Sequence, residues 1–407
     1  MFKMNLNLYF KLFTFILSLF ASQAHADKIY NIYLDADFTG TKASSLSIEQ
    51  GIETALSEIN HKIFDYQFKV IKKNHRGNSL RSKRNLESYL KNPNALLVFS
   101  GLHSPPILAN KDFINQNRIL LLDPWAAAGP ITRSNTEENW IFRLSIDDQK
   151  AGYVISDNAF KEGLKKPFLL LEDTGWGRSN EKTMTRALAK KGLKPTGVKW
   201  FNWGLGINNA KLTLRDIALS DADVIFFVGN APEGKTFAKA MFELNQSERL
   251  PIRSHWGITG GDFADIINKN IRKSLDLQFI QTSFSFNSSS LDDYSLGVFE
   301  SAKAQYPQLS VPKDLKAQTG FIHAYDLTKL LIASIKQAGL TGDRNIDKLA
   351  IHQSLESLTS PVKGLIKTYK KPFTAYDKMN NNAHEALTFS DYVMAHYGID
   401  NQVILIK

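Results

Sequence analysis

The 407-residue chain contains no cysteine. That excludes disulfide staples, thiolate metal sites, a cysteine nucleophile and a lipidated N-terminal thiol. Stability must come from a packed core, which a chain of this length can build. Histidine is sparse. The nine residues, His103, His255, His323 and His396 among them, show no zinc spacing and no H-E-x-x-H. Each reads as a surface or core residue, so no metal and no cofactor is expected. G-x-S-x-G is missing, and no Ser-His-Asp set has a readable spacing, so no catalytic residue is assigned. Beyond the first 26 residues no run is long and apolar enough to cross a membrane. Repeats, low-complexity stretches and Pro/Gly linkers are also lacking. The basic excess is mild, a formal +10. Its densest patch, HRGNSLRSKR at His75 to Arg84, lacks interleaved aromatics, so nucleic-acid binding is not expected.

What is present begins with a leader. Lys3 and Lys11 are basic, Leu12 to Phe20 is uncharged and apolar, and Ala24-His25-Ala26 forms an A-x-A site before Asp27. This reads as a secretory signal peptide over residues 1–26. Its apolar core is too short to span about 30 Å of hydrocarbon. The mature chain is therefore expected in the periplasm, unanchored, with a charge of 10 − 2 = +8.

The remainder alternates short apolar runs with amphipathic helical patterns. KIYNIYLDA (Lys28 to Ala36) predicts a strand, and SIEQGIETALSEIN (Ser47 to Asn60) a helix with apolar residues three and four apart. ALLVFSG, ILLLDPW, PFLLLED and DVIFFVG are further strands, apolar on both faces. NEKTMTRALAKKG (Asn180 to Gly192) is one of the intervening helices. Such strands imply parallel sheets covered by helices on both sides. Ligands bind such sheets outside the carboxyl ends of the strands. The length favours two α/β units, interleaved by crossing segments since no linker separates them.

One motif needs separate treatment. GNAPEGKT, Gly229 to Thr236, satisfies the P-loop pattern G-x-x-x-x-G-K-[ST]. A P-loop works through successive backbone N–H groups aimed at phosphate oxygens. Pro232 has no N–H. Glu233 sets a carboxylate beside the phosphates, a repulsion of roughly 4 kcal/mol at 4 Å and an effective dielectric of 20. No downstream strand ends in the Asp that Mg²⁺ needs. The match reads as a strand end at Gly229, a turn at Pro232 and a helix opening at Gly234, and nucleotide hydrolysis is not expected.

The order of segments resembles the type I periplasmic binding proteins, in the leucine/isoleucine/valine-binding branch that serves ABC importers. TGTKASSLSIEQGIETALSEIN looks like that family's first loop and helix ending in E-I-N. ALLVFSGLHSPPILA looks like its G-x-x-S ligand loop, and RILLLDPWAAAGPIT like its P-x-x-S-P-x-A segment. WIFRLSIDDQKAGYVISDNA is similar to the hinge-crossing F-R-x-x-x-x-D-x-x-x-G, LLLEDTGWGRSNEKTMTRALAKKG to the D-x-x-Y-G loop and helix, and GFIHAYDLTKLLIASIKQAG to the late A-Y-D-A helix. The resemblance covers nearly the whole mature chain. It implies an α/β fold of two Rossmann-like lobes joined by three crossings, near Ser145, Leu275 and Leu355. Lobe 1 would comprise 27–145 and 276–355, and lobe 2 would comprise 146–275 and 356–407. It implies a small-molecule ligand trapped by closure and no enzyme activity. The partner would be an ABC permease complex in the inner membrane or, alternatively, a sensor kinase or cyclase.

The resemblance also assigns site residues. Ser104 matches the carboxylate-binding serine, and the same serine suits a helix N-cap. After Pro124 the family's hydroxyl is missing. Trp125 and Ala126 stand there, the carbonyls survive, and the indole faces either the cleft or the core. Trp176, in GWG, replaces the family's tyrosine, with Gly175 and Gly177 expected to shape a loop that covers ligand or packs on its own helix. Asn230 either bonds ligand or serves the turn. SHWGITGGDF (Ser254 to Phe263) lacks the ammonium-binding Glu and offers His255, Trp256 and Thr259, with Asp262 expected to cap the following helix. Losing two polar anchors and gaining up to three indoles suits an apolar or aromatic carboxylate at least as well as a branched amino acid.

Overall fold

The computed structural model describes residues 28–134, 136–288 and 290–406. The leader expected at 1–26 lies outside the described residues. Two sheets organise the rest. The first runs β2-β3-β1-β4-β5-β6, built from β1 (Lys28–Ala36), β2 (Lys62–Ile63), β3 (Tyr66–Asn74), β4 (Ala95–Ser100), β5 (Leu121–Asp123) and β6 (Ile141–Arg143). All its pairings are parallel except β2 with β3. The second sheet is built from β7 (Pro167–Glu172), β8 (Gly197–Phe201), β9 (Val224–Val228), β10 (Ile252–Ser254) and β11 (Leu277–Thr282), with β14 (Tyr392–Tyr397) and β15 (Val403–Ile406) added antiparallel at one edge. Its order is β15-β14-β11-β10-β9-β7-β8. A small hairpin, β12 (Val362–Lys363) with β13 (Thr368–Tyr369), stands apart.

The apolar runs became strands because helices cover both faces. Every residue of β4 (ALLVFS) and β9 (VIFFV) is buried. The helices in chain order are α1 (Lys42–Ser57), α2 (Ser79–Lys91), α3 (Ser104–Gln116), α4 (Asp148–Lys161), α5 (Gly175–Ala189), α6 (Ile207–Ala218) and α7 (Ala231–Phe242). After two short helices, Phe263–Ile266 and Lys269–Lys273, come α8 (Asp293–Gln305), α9 (Gln318–Ala338) and α10 (Arg344–Glu356). Helix α9 lies along α1, and Gly51 makes that contact close: a Cβ there would sit 2.3 Å from the Phe321 carbonyl oxygen.

Strand pairing fixes where the chain changes sheet. It leaves the first sheet after Arg143 and next pairs at β7. The second crossing falls after Thr282, later than the expected Leu275, because β11 still completes the parallel part of the second sheet. The third falls later than Leu355. The β12–β13 hairpin is tied to α9, where the Asp326 carboxylate accepts from Leu365 N, Ile366 N and the Tyr369 hydroxyl. Glu385 then bridges to Arg143 at the edge of the first sheet, and only at Tyr392 does the chain enter the second.

Candidate functional site

Both sheets have a topological switch point, where neighbouring parallel strands send their connections in opposite directions. In the first it lies between β1 and β4, in the second between β7 and β9. The loops leaving these strands face one another around a narrow cavity of about 10 Å³, room for roughly one water. The first lobe contributes His103 and Ser104 from the end of β4, and Trp125 and Ala127 from the end of β5. The second contributes Glu172 from β7, Trp176 from α5, Asn230 after β9 and Trp256 after β10. Five of the six residues singled out in the sequence thus line one cavity: Ser104, Trp125, Trp176, Asn230 and Trp256.

Ala126 does not line it. Its N–H donates to Asp123 Oδ1 (2.8 Å) and its carbonyl accepts from Arg143 Nη1 (3.2 Å), so both backbone groups turn inward. The neighbouring carbonyls are engaged as well: Trp125 O accepts from Ser145 Oγ (2.7 Å), and Ala128 O from Arg143 Nη1 (2.9 Å). Ala127 fills the lining position instead. Arg143 holds this loop from below, fully buried, with its guanidinium also on Glu385 (2.7 Å) and Asp147 (3.0 Å). Asp147 in turn caps α4 by accepting from Gln149 N.

Ser104 is the first residue of α3, and its Oγ accepts from Ala128 N at 3.2 Å. The hydroxyl proton therefore remains available to a ligand acceptor. It makes no side-chain cap to its own helix; His103 occupies the cap position. Trp125 brings a second donor, since its buried Nε1 has no protein partner. Its ring lies 5.9 Å from that of Trp256, so two indoles meet across the cleft. Trp256 also packs on His323 at 4.9 Å. Burial holds His323 neutral, with its pKa lowered to about 3. One ring nitrogen faces Pro124 O (3.2 Å) and the other Thr282 Oγ1 (3.1 Å), which ties the two lobes beneath the indoles.

Trp176 sits in the first turn of α5, not on a loop. Thr174 caps this helix, its Oγ1 accepting from Trp176 N and Gly177 N. Gly177 is required because a Cβ there would lie 1.9 Å from the Glu172 carbonyl oxygen. Trp176 Nε1 donates to Asp148 Oδ1 (3.2 Å), and its ring meets His255 edge-on at 5.0 Å. Asn230 is the residue before α7 and makes no side-chain cap; its Nδ2 donates to Glu172 Oε2 at 3.1 Å. Asp262 likewise makes no side-chain cap and pairs with Lys235 at 2.6 Å.

Glu172 was not singled out in the sequence. It is fully buried in the cavity wall and accepts from Thr174 Oγ1 (2.7 Å), Trp203 Nε1 (3.1 Å) and Asn230 Nδ2. Burial outweighs these bonds and raises its pKa from 4.5 to about 7. It places a carboxyl group in the cavity wall at the end of β7, whereas SHWGITGGDF places none there. His103, read from the sequence as a surface or core residue, also lines the cavity. It stacks obliquely on Trp203 across the cleft at 5.1 Å.

The P-loop pattern has no cradle. Helix α7 begins at Ala231, so Glu233, Gly234 and Lys235 are already helical. Lys235 is held by Asp262, and Glu233 accepts from Gly204 N (3.0 Å). A Cβ at Gly234 would press on Ile258 at 2.7 Å, which gives this glycine a packing role.

Solved structures share this architecture. A type 1 periplasmic binding protein from Bordetella pertussis Tohama I superposes with a TM-score of 0.75 at 16% identity, covering 93% of this chain and 100% of that one. A solute-binding protein of an ABC transporter from R. palustris, in complex with 4-hydroxybenzoate, gives 0.75 at 14% identity, covering 93% and 96%. A leucine-binding protein from Thermotoga maritima gives 0.70 at 15% identity, covering 93% and 98%. No curated protein matches the sequence. At these identities the neighbours establish the fold. The family model described as periplasmic binding protein matches residues 34–382, and the chain belongs to that family.

Proposed function

We propose that this chain is an exported solute-binding protein that captures a small organic ligand between its lobes and presents it to an ABC permease in the inner membrane. The observation that carries this reading is the cavity at the facing switch points, lined from both lobes by three indoles and few polar groups. Ligand touching both walls favours the closed form, since only closure offers both sets of contacts. The Ser104 hydroxyl and Trp125 Nε1 are donors suited to a ligand carboxylate. Trp176 and Trp256 suit a flat apolar body, and Glu172 suits a donor at its far end. An aromatic acid bearing a hydroxyl or amino group, or an apolar amino acid, meets those demands. Two structural neighbours fit this range, one in complex with 4-hydroxybenzoate and one titled a leucine-binding protein. The protein acts by binding, with no covalent step. None of the described helices is long and apolar enough to cross a membrane.

Thermal-shift screening against aromatic acids and amino acids tests the proposal. A true ligand at about 100 times its dissociation constant adds roughly 2.7 kcal/mol of stability. Ser104→Ala with Trp125→Phe should abolish that gain. A panel in which no organic acid or amino acid stabilises the protein would refute the reading.

A further inference from the structure

Away from the cleft, three side chains converge where the last crossing segment docks on the first lobe. His352 and Glu356 stand four residues apart on α10 and so share one helix face. His384 arrives from the segment between β13 and β14. His384 Nε2 lies 3.0 Å from Glu356 Oε1, and His352 Nδ1 lies 3.7 Å from Glu356 Oε2. One ligand atom from each residue lies within 4.8 Å of the others. No spacing in the sequence announces this set, because His384 is 28 positions beyond Glu356.

The remote nitrogens make the cluster informative. His352 Nε2 sits 2.9 Å from Asn139 O, and His384 Nδ1 sits 3.0 Å from Ile141 O. A carbonyl oxygen only accepts, so each of these nitrogens carries the proton. In a neutral ring the other nitrogen then turns a lone pair toward the Glu356 carboxylate. Two acceptors facing each other at 3.0 Å repel unless a second proton or a cation lies between them. Aromatic packing fixes both rings: Phe142 stacks on His384 at 3.9 Å, and Trp140 lies tilted against His352 at 4.3 Å. Histidine metal ligands are commonly held this way, with the far N–H on a carbonyl and the near nitrogen aimed at the ion. In a tetrahedral zinc site with bonds of about 2.0–2.1 Å, neighbouring ligand atoms stand about 3.3 Å apart. The 3.0 Å separation to Oε1 and the 3.7 Å separation to Oε2 lie on either side of that spacing, one at each carboxylate oxygen, and one ligand atom per residue falls within 4.8 Å of the others. The Glu356 side chain is 15% exposed, so the carboxylate meets solvent while both imidazoles are buried.

We propose that His352, Glu356 and His384 bind one divalent transition-metal ion of the zinc type. Two imidazoles and a carboxylate suit such an ion better than Mg²⁺ or Ca²⁺, which prefer oxygen. The role is structural. Glu356 also accepts from Tyr376 N (2.9 Å), so the ion fastens the segment leading into β14 to α10.

The test is calorimetric titration of chelator-treated protein with zinc sulfate. One equivalent should bind, Mg²⁺ in excess should not compete, and the thermal midpoint should rise. His352→Gln and His384→Gln should each weaken uptake more than about tenfold, the loss expected even for an outer-shell partner. His61→Gln should leave it unchanged. Should His384→Gln fail to fold, Glu356→Gln keeps an acceptor for Tyr376 N and reads the same loss. Absence of stoichiometric uptake would mean that the cluster is an imidazolium–carboxylate pair and would overturn the proposal. Uptake that survives the substitutions would place the metal elsewhere and overturn it equally.

Discussion

Replacing Glu172 by Gln should flatten the pH dependence of stability by a calculable amount. The carboxyl ionises near 7 in the folded chain, against an ordinary value of 4.5, because burial penalises its charge. Below pH 4.5 both folded and unfolded chains hold the proton. Between 4.5 and 7 only the folded chain holds it, so raising the pH favours unfolding. Above 7 the full penalty is in place, about 3 kcal/mol for this displacement. Glutamine cannot ionise and escapes that loss. It also fits the site: its oxygen can accept from Trp203 Nε1 and Asn230 Nδ2, and its amide can donate to Thr174 Oγ1, where these partners now meet the carboxyl. Asp123 and Asp35 are likewise raised to about 7 by burial, but both remain in the variant and cancel in the difference. Urea denaturation of the two proteins at pH 5 and pH 8 is the assay. Relative to the parent, Glu172→Gln should gain on the order of 1–3 kcal/mol between those values. Parallel curves would show that Glu172 does not hold its proton near neutrality.

Other outcomes follow from the same geometry. Trp176→Ala should weaken the tightest ligand of the screening panel at least tenfold while the circular dichroism spectrum stays folded; an unchanged dissociation constant would remove this indole from the site. Arg143→Leu strips Glu385 and Asp147 of a buried partner and should cost about 3–5 kcal/mol in denaturant titration. Lys235→Ala breaks only a partly exposed pair with Asp262, so stability should change by no more than about 1 kcal/mol. Parent and variant should both show no ATP turnover above background in the presence of Mg²⁺.

Much of this architecture can be read from the sequence, and the reasons for the misses are local. Strands β4, β5, β7 and β9, unlike β8 (GVKWF) and β10 (IRS), were legible because each is an apolar run ended by turn residues. The start of α5 was not, since Gly175 and Gly177 look like a loop. Thr174 caps them into a helix, and Gly177 is there to admit the Glu172 carbonyl, a contact only the fold creates. Ser104, Trp125, Trp176, Asn230 and Trp256 were singled out through the family resemblance, and they line one cavity because each follows a strand at its carboxyl end. Glu172 carried the same signal, a charged residue closing the apolar run LLLE, but the adjacent Asp173 drew the motif reading. Ala126 was assigned one position away from the lining Ala127, since sequence cannot say which way a carbonyl turns. The later crossings lay beyond reach because they depend on which sheet accepts β11, and on Glu385 reaching Arg143.

The absence of cysteine allows site-specific labelling, and the closure mechanism can be measured directly. Spin labels at Lys42→Cys and Lys239→Cys, exposed positions in opposite lobes, report the distance across the cleft. Adding a ligand that stabilises the protein should shift the distribution to a shorter, narrower distance. A ligand that binds and leaves the distribution unchanged would contradict capture between two closing lobes.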